Sequence, residues 1–361
     1  MKARRVIISG GGTGGHLYPA LAVGRKLQEK DKAIRVTFVG GQRPIEKALM
    51  EKYGVHFIPM KIEGIKGRGF RGLKTTVCLP FALIRSFLLL FRLKPDLVLG
   101  VGGYSSGPVV LAAAWLGVPT LILEQNLIPG FTNRLLIRWV RRAVVAFENS
   151  LAYFKGKAVF LGNPVREEFF RIQQKSRTAT FTLLVFGGSQ GSHVLNEAMV
   201  GALPLLAAEK ARLRIFHQTG ESDFIKVKEG YVQNGFQAAE VAPFFHDMAG
   251  YFEKSDLVIS RAGATTISEL IVARKAAMLI PFALASEDHQ AKNAGELARV
   301  DGAEVILERD LTPGLLANRI LFYLNHPERI TAMEKNLAGL RSGDPAGRIA
   351  DLCFDLFKAK A

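Results

Sequence analysis

Cysteine is nearly absent from this 361-residue chain: Cys78 and Cys353 alone occur, far apart and outside any metal-ligating spacing. A disulfide framework and a cysteine-held metal are excluded, and a reducing compartment with two free thiols is the expectation. Acids are outnumbered, with 32 Asp and Glu against 48 Lys and Arg, for a net charge of +16. That balance predicts an anionic partner: a phosphorylated substrate, an acidic membrane surface or nucleic acid. No recognisable DNA- or RNA-binding module accompanies the charge, so nucleic acid is not the expected partner. Beyond His16, the histidines His56, His193, His217, His246, His289 and His326 form no H-E-x-x-H or comparable cluster, and no metal site is expected. The amino terminus, MKARRVIISGGG, holds too few apolar residues before its glycines for a signal peptide. No apolar run reaches the roughly 20 residues of a membrane span. The most lipid-like stretch, VCLPFALIRSFLLLFRL (77–93), is interrupted by Pro80, Arg85 and Arg92.

Glycine, by contrast, is concentrated. The segment ISGGGTGGHLYPALAVG (8–24) carries six glycines and ends its loop at His16. The preceding RVIIS reads as a buried strand, and the apolar spacing of LYPALAVGRKLQEK reads as a helix. A glycine loop between strand and helix aims backbone N–H groups at an anion or an oxygen-rich ligand. No Gly-Lys-Ser/Thr follows, so this is not a Walker loop, and the next strand, IRVTFVG, ends in glycine rather than the acid of a dinucleotide fingerprint.

Short apolar runs alternate with helical patterns along the chain, the grammar of a doubly wound α/β protein with parallel sheets. Strands are expected at 4–9, 34–39, 55–59, 96–100, 119–123 and 143–147, with a final one leading into Asn163-Pro164. After a polar break within 163–179 the pattern restarts, with strands at 181–186, 212–217, 237–241, 256–260, 277–280 and 303–307 and helices at 191–208, 264–273 and 287–299. The length predicts two domains: 1–163, 164–340, and a terminal helix at 341–361 whose stripe is Ile349, Leu352, Phe354 and Leu356. Two glycine loops, each after the first strand of its domain, are expected to face each other across a cleft.

Candidate chemistry sits beyond the strand ends. His16 is the candidate proton acceptor, its ordinary pKa near 6.5 suiting neutral pH, and a helix-start structural role is the alternative. Tyr104, Ser105, Ser106, Glu124, Gln125 and Asn126 form a polar set suited to a sugar, or serve individually as caps and turns. GGSQG (187–191) offers N–H groups and Ser189 to a diphosphate. Glu269, in SRAGATTISEL, either favours its helix's positive end or accepts the two hydroxyls of a ribose. Asp288, His289 and Gln290 open a later helix. The 77–93 segment reads either as a crossover helix or as a helix lying on a membrane, because Phe81, Ile84, Phe87, Leu88 and Phe91 recur at helical spacing beside the basic residues Lys61, Lys66, Arg68, Arg71 and Lys74. Arg134, Arg138, Arg141 and Arg142 around Trp139 form a second basic cluster.

GGGTGGHLYPALAV, GGY, LEQN, NPVR, GGSQG, FFHDM, RAGATTISE and PF…EDHQ…NA occur in this order across essentially the whole chain. In this the chain resembles glycosyltransferase family 28, the bacterial cell-wall enzymes that add N-acetylglucosamine to the lipid-linked muramyl-pentapeptide precursor. The resemblance implies a GT-B fold of two Rossmann-like domains, an N-terminal acceptor and membrane-association domain, a C-terminal donor domain, and a last helix that returns to the first domain. It implies donor contacts at Thr13, Gly14, Gly15 and Asn126, at Arg166, at Ser189, Gln190 and Gly191, at Phe245 near the uracil, at Ala264, Thr265, Thr266, Ile267, Ser268 and Glu269, and at Gln290. Phe245 departs from the smaller aliphatic residue of many relatives, a change that a backbone contact to the base would survive.

The implied reaction inverts the anomeric carbon of UDP-N-acetylglucosamine and forms a β-1,4 bond to the muramyl sugar. It needs a base for the acceptor 4-hydroxyl, assigned to His16, and stabilisation of the departing diphosphate; Glu124 and Tyr104 are second candidates. No cofactor and no metal are implied. The implied partners are the two substrates, the second a polyprenyl-diphosphate-linked muramyl-pentapeptide, an anionic membrane surface, and cell-wall synthesis and division proteins. The location implied is peripheral, on the cytoplasmic face of the inner membrane. Other GT-B enzymes, a UDP-sugar glycolipid synthase or a UDP-N-acetylglucosamine 2-epimerase, are the alternatives.

Overall fold

The computed structural model describes residues 3–12, 14–60, 70–176, 179–285, 288–341 and 343–358. Thr13 and the basic run 61–69 lie outside the described residues, as do the side chains of 70–79, Cys78 among them. The chain divides into two compact units, Met1–Arg166 with Ser342–Ala361, and Glu167–Arg341.

The first unit is built on β1 (Arg5–Ser9), β2 (Arg35–Gly40), β3 (Phe57–Pro59), β4 (Leu97–Gly100), β5 (Thr120–Glu124), β6 (Arg142–Val145) and β7 (Ala158–Phe160). All pair in parallel, in the order β3-β2-β1-β4-β5-β6-β7. The crossovers carry α1 (Gly14–Lys30), α2 (Pro44–Lys52), α3 (Phe70–Leu93), α4 (Ser106–Trp115) and α5 (Phe131–Leu136). Strands covered on both faces must be apolar on both, which is why LVLG and TLILE are buried throughout. The two-residue period sends Val6 and Ile8 into one core and Ile7 into the other.

The second unit repeats the plan with β8 (Phe181–Phe186), β9 (Leu213–Gln218), β10 (Glu240–Ala242), β11 (Leu257–Ser260), β12 (Ala277–Leu279) and β13 (Ala303–Val305), in the parallel order β10-β9-β8-β11-β12-β13. Its helices are α6 (Glu167–Phe170), α7 (His193–Leu206), α8 (Phe224–Gln233), α9 (Met248–Lys254), α10 (Ala264–Ala273), α11 (His289–Ala298), α12 (Pro313–Asn325) and α13 (Pro327–Ala338). Local signals start several of them: the Ser192 hydroxyl accepts from Leu195 N at α7, and the Thr312 hydroxyl accepts from Leu315 N at α12, which also has Pro313 in its first turn. The strand expected at 237–241 forms later, at 240–242, because its register follows Glu240 paired with Phe216 of β9.

The last helix, α14 (Pro345–Lys358), belongs to the first unit and packs on α1. Its buried stripe is Ala346, Ile349, Ala350, Cys353, Leu356 and Phe357. Leu352 and Phe354, expected in that stripe, are only partly buried, since the 3.6-residue period carries Ile349 on to Cys353 and Leu356. Burial pushes the Cys353 thiol up to about 12.

The crossover reading of the 77–93 segment is the one the fold bears out. Helix α3 is a crossover helix that buries Ala82, Ser86 and Leu90, yet its outer face leaves Phe81 65%, Ile84 55%, Leu88 65% and Phe91 61% exposed. No helix among the described residues is long and apolar enough to cross a membrane.

Candidate active site

In each sheet the chain reverses its winding direction beside the first strand, between β1 and β4 and between β8 and β11. Open parallel sheets bind ligands beyond the strand ends at such a switch point. Both glycine loops lie there.

In the first unit the loops after β1 and β4 touch. Gly103 has φ +79°, and a Cβ on it would lie 2.5 Å from the Gly11 carbonyl oxygen, so a side chain there is excluded on both counts. A Cβ on Gly102 would lie 2.9 Å from Cε1 and 3.0 Å from Nδ1 of His16, and 3.5 Å from Oε1 of Gln125. The imidazole therefore lies close against Gly102, where no side chain would fit, half-buried at the start of α1. Gln125 is held beside it by an Nε2 bond to the Val101 carbonyl (2.8 Å). Tyr104 follows, 41% exposed. Gly14 and Gly15 form the first turn of α1, and the Arg166 guanidinium stacks over the Tyr18 ring in the next turn, 4.6 Å from its centroid.

Glu124 is differently employed. It ends β5 at 2% exposure, and its two oxygens accept from Asn126 N (2.9 Å), Asn126 Nδ2 (3.3 Å), Gly130 N (2.9 Å) and Asn133 Nδ2 (2.8 Å). Burial raises its pKa, and the four donors pull the other way. The carboxylate shapes the loop that presents Asn126.

Glu46 of α2 stood out from nothing in the sequence. It is 1% exposed, accepts from Gly12 N (2.8 Å), and packs against Gly11, Gly40 and Gly41, while Arg43 Nη1 donates to the Gly12 carbonyl (2.6 Å). The first glycine loop thus rests on a buried carboxylate and an arginine from the second crossover.

In the second unit Ser189 and Gln190 stand exposed on the loop after β8, and Gly191 (φ +77°) closes it. Helix α10 begins after Gly263, with Thr265 and Thr266 half-buried in its first turn. Ala264 is 9% and Ile267 0% exposed, the Ile267 N–H donates to the Gly263 carbonyl (2.9 Å) and the Ser268 hydroxyl turns back to the Ala264 carbonyl (2.8 Å), so of these three Ala264, in the first turn, is the one placed to present a backbone N–H. Glu269 lies one turn in, at 5% exposure. Arg261, 8% exposed, is ion-paired with Glu308 and donates to the Ile280 and Pro281 carbonyls, bracing the strand ends beneath α10. Gln290 Oε1 accepts from Ala262 N (3.2 Å) and Phe282 N (3.0 Å), which leaves its Nε2 as the donor. Phe245 is 4% exposed, its ring stacked on Tyr251 at 3.9 Å, so a nucleobase would meet its backbone and not its ring.

Known proteins resemble this chain along its length. The glycosyltransferase family 28 N-terminal domain matches residues 6–145, and the glycosyltransferase family 28 C-terminal domain matches residues 182–348. A UDP-N-acetylglucosamine--N-acetylmuramyl-(pentapeptide) pyrophosphoryl-undecaprenol N-acetylglucosamine transferase of Myxococcus xanthus is 45% identical over 98% of this chain and 93% of its own length. The protein of the same name from Syntrophus aciditrophicus is also 45% identical, over 98% of this chain and 99% of its own. The crystal structure of Acinetobacter baumannii MurG superposes with a TM-score of 0.78 at 30% identity, covering 98% of this chain and 99% of that one. A putative UDP-N-acetylglucosamine 2-epimerase from Listeria monocytogenes shares the fold alone, with a TM-score of 0.72 at 13% identity over 99% of this chain and 98% of that one. With both domain models matched and full-length relatives at this identity, the chain belongs to glycosyltransferase family 28.

Proposed function

We propose that this chain transfers N-acetylglucosamine from UDP-N-acetylglucosamine to the 4-hydroxyl of the muramyl sugar of a polyprenyl-diphosphate-linked muramyl-pentapeptide, the step that turns lipid I into lipid II. The carrying observation is that relatives named for this one transfer align over 98% of the chain, through both units.

The reaction is a single displacement. The acceptor oxygen attacks the anomeric carbon, its proton passes to the His16 imidazole, the bond from that carbon to the diphosphate oxygen breaks, and the departing UDP keeps the electron pair. His16 suits this role because its ring is close against Gly102 at a strand-end loop, while it stays half-buried rather than sealed in the core. Glu124 acts through Asn126 as a positioning residue, and Tyr104 offers an exposed hydroxyl on the neighbouring loop. Gly14 and Gly15 bring backbone close to a sugar in the first turn of α1, Asn126 presents its side-chain amide from the loop that Glu124 holds, and Arg166 brings a cation. Thr13 keeps its proposed donor contact on resemblance alone.

The contrast between the two glycine loops supports a diphosphate site in the second unit. In the first loop the Gly12 N–H is already spent on the Glu46 carboxylate while Arg43 takes the Gly12 carbonyl, whereas the second loop is pinned through the Gly188 carbonyl by the neutral Gln218 amide. Ser189, Gln190, Gly191 and the N-terminus of α10 then serve the phosphates, Glu269 the ribose hydroxyls, the Phe245 backbone the base, and Gln290 Nε2 the sugar or diphosphate.

The acceptor's lipid implies a membrane, and the α3 face supplies a surface for one. Phe87 stacks on Trp115 at 6.2 Å and Trp115 meets Trp139 edge-on at 5.9 Å, extending the exposed apolar face beside Arg85, Arg92, Arg138 and Arg142. Exposed apolar side chains on segments that also carry exposed arginines suit peripheral attachment to an anionic leaflet.

The test is transfer of label from radiolabelled UDP-N-acetylglucosamine to a short-chain analogue of the lipid acceptor by the purified full chain. Transfer that needs both substrates is expected. Hydrolysis or epimerisation of the donor alone would overturn the reading.

A further inference from the structure

We infer that Gln218, the last residue of β9, is a positioning residue for the UDP moiety of the donor, acting by locking the phosphate loop and the base-contacting segment into one register. The inference rests on the donor reading above and assigns a role to a residue that no recognised motif contains.

Gln218 is 1% exposed. Its Nε2 donates to the Gly188 carbonyl at 2.8 Å, and its Oε1 accepts from Phe245 N at 2.8 Å. Both partners are backbone groups of fixed polarity, so the amide has one orientation, and only an amide of this length satisfies both. Gly188 and Phe245 lie 30 and 27 residues away on either side of Gln218, in the loops proposed to hold the diphosphate and the uracil. One side chain thereby sets the distance between two halves of a nucleotide site.

The next two residues reinforce the arrangement. A Cβ on Gly191 would lie 1.9 Å from the Thr219 carbonyl oxygen, and one on Gly220 would lie 2.3 Å from the Gln190 carbonyl oxygen. The glycine loop is seated directly on the β9 end, residue against residue. The Gly188 carbonyl also receives Gly191 N at 3.2 Å, closing the loop's turn, so the Gln218 bond holds a loop already folded rather than creating it. Its loss is expected to shift the loop against Phe245 more than to unfold the unit, which costs ligand binding because the donors must meet the phosphates within a few tenths of an ångström.

Two variants of the full chain separate the halves. Gln218→Met keeps length and loses both bonds. Gln218→Glu keeps an acceptor for Phe245 N but turns its second oxygen on the Gly188 carbonyl. With Gln218→Met, UDP affinity by calorimetry is expected to fall 10- to 100-fold and the donor KM to rise with it, while the acceptor KM stays within twofold. With Gln218→Glu, the loss is expected to fall on UDP at least fivefold more than on uridine, because the base half is retained. A folded variant of either kind that binds UDP within twofold of the wild-type chain overturns the inference. Should Gln218→Met fail to fold, Gln218→Glu decides by the same comparison. Failure of the wild-type chain itself to bind UDP refutes the donor reading instead.

Discussion

His217 carries a prediction that can be worked through quantitatively. It is fully buried on β9, with Nε2 3.1 Å from Asn196 Oδ1 and Nδ1 3.0 Å from the Tyr231 hydroxyl. The Asn196 amide is oriented by its other contacts, since Nδ2 donates to the Thr219 carbonyl (2.9 Å) and to Asp223 Oδ2 (2.8 Å). Its Oδ1 must then accept from His217 Nε2–H, which leaves Nδ1 to accept from Tyr231. The ring is neutral and satisfied. A second proton would bring an uncompensated charge into an apolar interior, and burial accordingly lowers the pKa from 6.5 to about 3. The unfolded chain binds the proton first, so the stability from keeping this ring neutral is complete above pH 6.5 and is lost as pH falls towards 3. At pH 5 the loss is about 2 kcal/mol, with a slope of about 1.4 kcal/mol per pH unit. Urea unfolding from pH 8 to pH 5 measures it against His217→Phe. That variant starts about 2–4 kcal/mol less stable at pH 8, because Asn196 Oδ1 and the Tyr231 hydroxyl lose their partner, but its slope below pH 6.5 should be shallower by one proton. Equal slopes in the two proteins, or a His217 imidazole NMR signal, assigned by its loss in His217→Phe, that titrates near 6.5 in the folded chain, would refute the reasoning.

Replacing His16 with Asn should lower kcat by roughly 10²- to 10⁴-fold with UDP affinity unchanged, as for loss of a general base; a fall below tenfold removes it from that role. Glu124→Ala strands four donors around one buried site and should cost about 3 kcal/mol or more, read by thermal unfolding. A cost under 1 kcal/mol would show that water serves the Asn126 loop equally well. Changing Phe81, Leu88 and Phe91 together to Ser should leave stability within about 1 kcal/mol, since all three side chains are mostly exposed. Co-sedimentation with anionic vesicles should nevertheless weaken by about 100-fold or more at roughly 1.5–3 kcal/mol per apolar side chain. Unchanged vesicle binding would move the membrane contact elsewhere.

The two glycine loops show one local motif held by opposite chemistry. Each follows the first strand of its sheet and makes a contact that admits no Cβ, on Gly103 of the β4 loop facing the first and on Gly191 within the second. One is held by a carboxylate and an arginine from the second crossover; the other is held by an amide from the neighbouring strand. The proposed division of ligands between the loops rests on that difference, although their sequences look alike.

Local patterns were enough to read most of the elements. Strand β8 was read at 181–186 and α10 at 264–273, where they form, because apolar periodicity and glycine punctuation are properties of neighbouring residues. The ordered motifs were likewise legible, and with them the family. The supports of the site were not. Glu46 reaches Gly12 across 34 residues and Gln218 reaches Phe245 across 27, and nothing beside either residue marks it as bound for a glycine loop. Glu124 was visible as polar, but its four donors are gathered only when the 126–133 loop folds back over β5. Periodicity decides which face of an element is buried. Sheet order decides which distant elements lie side by side, and hydrogen-bond partners follow from that order, so the braces that give the site its geometry belong to the tertiary structure.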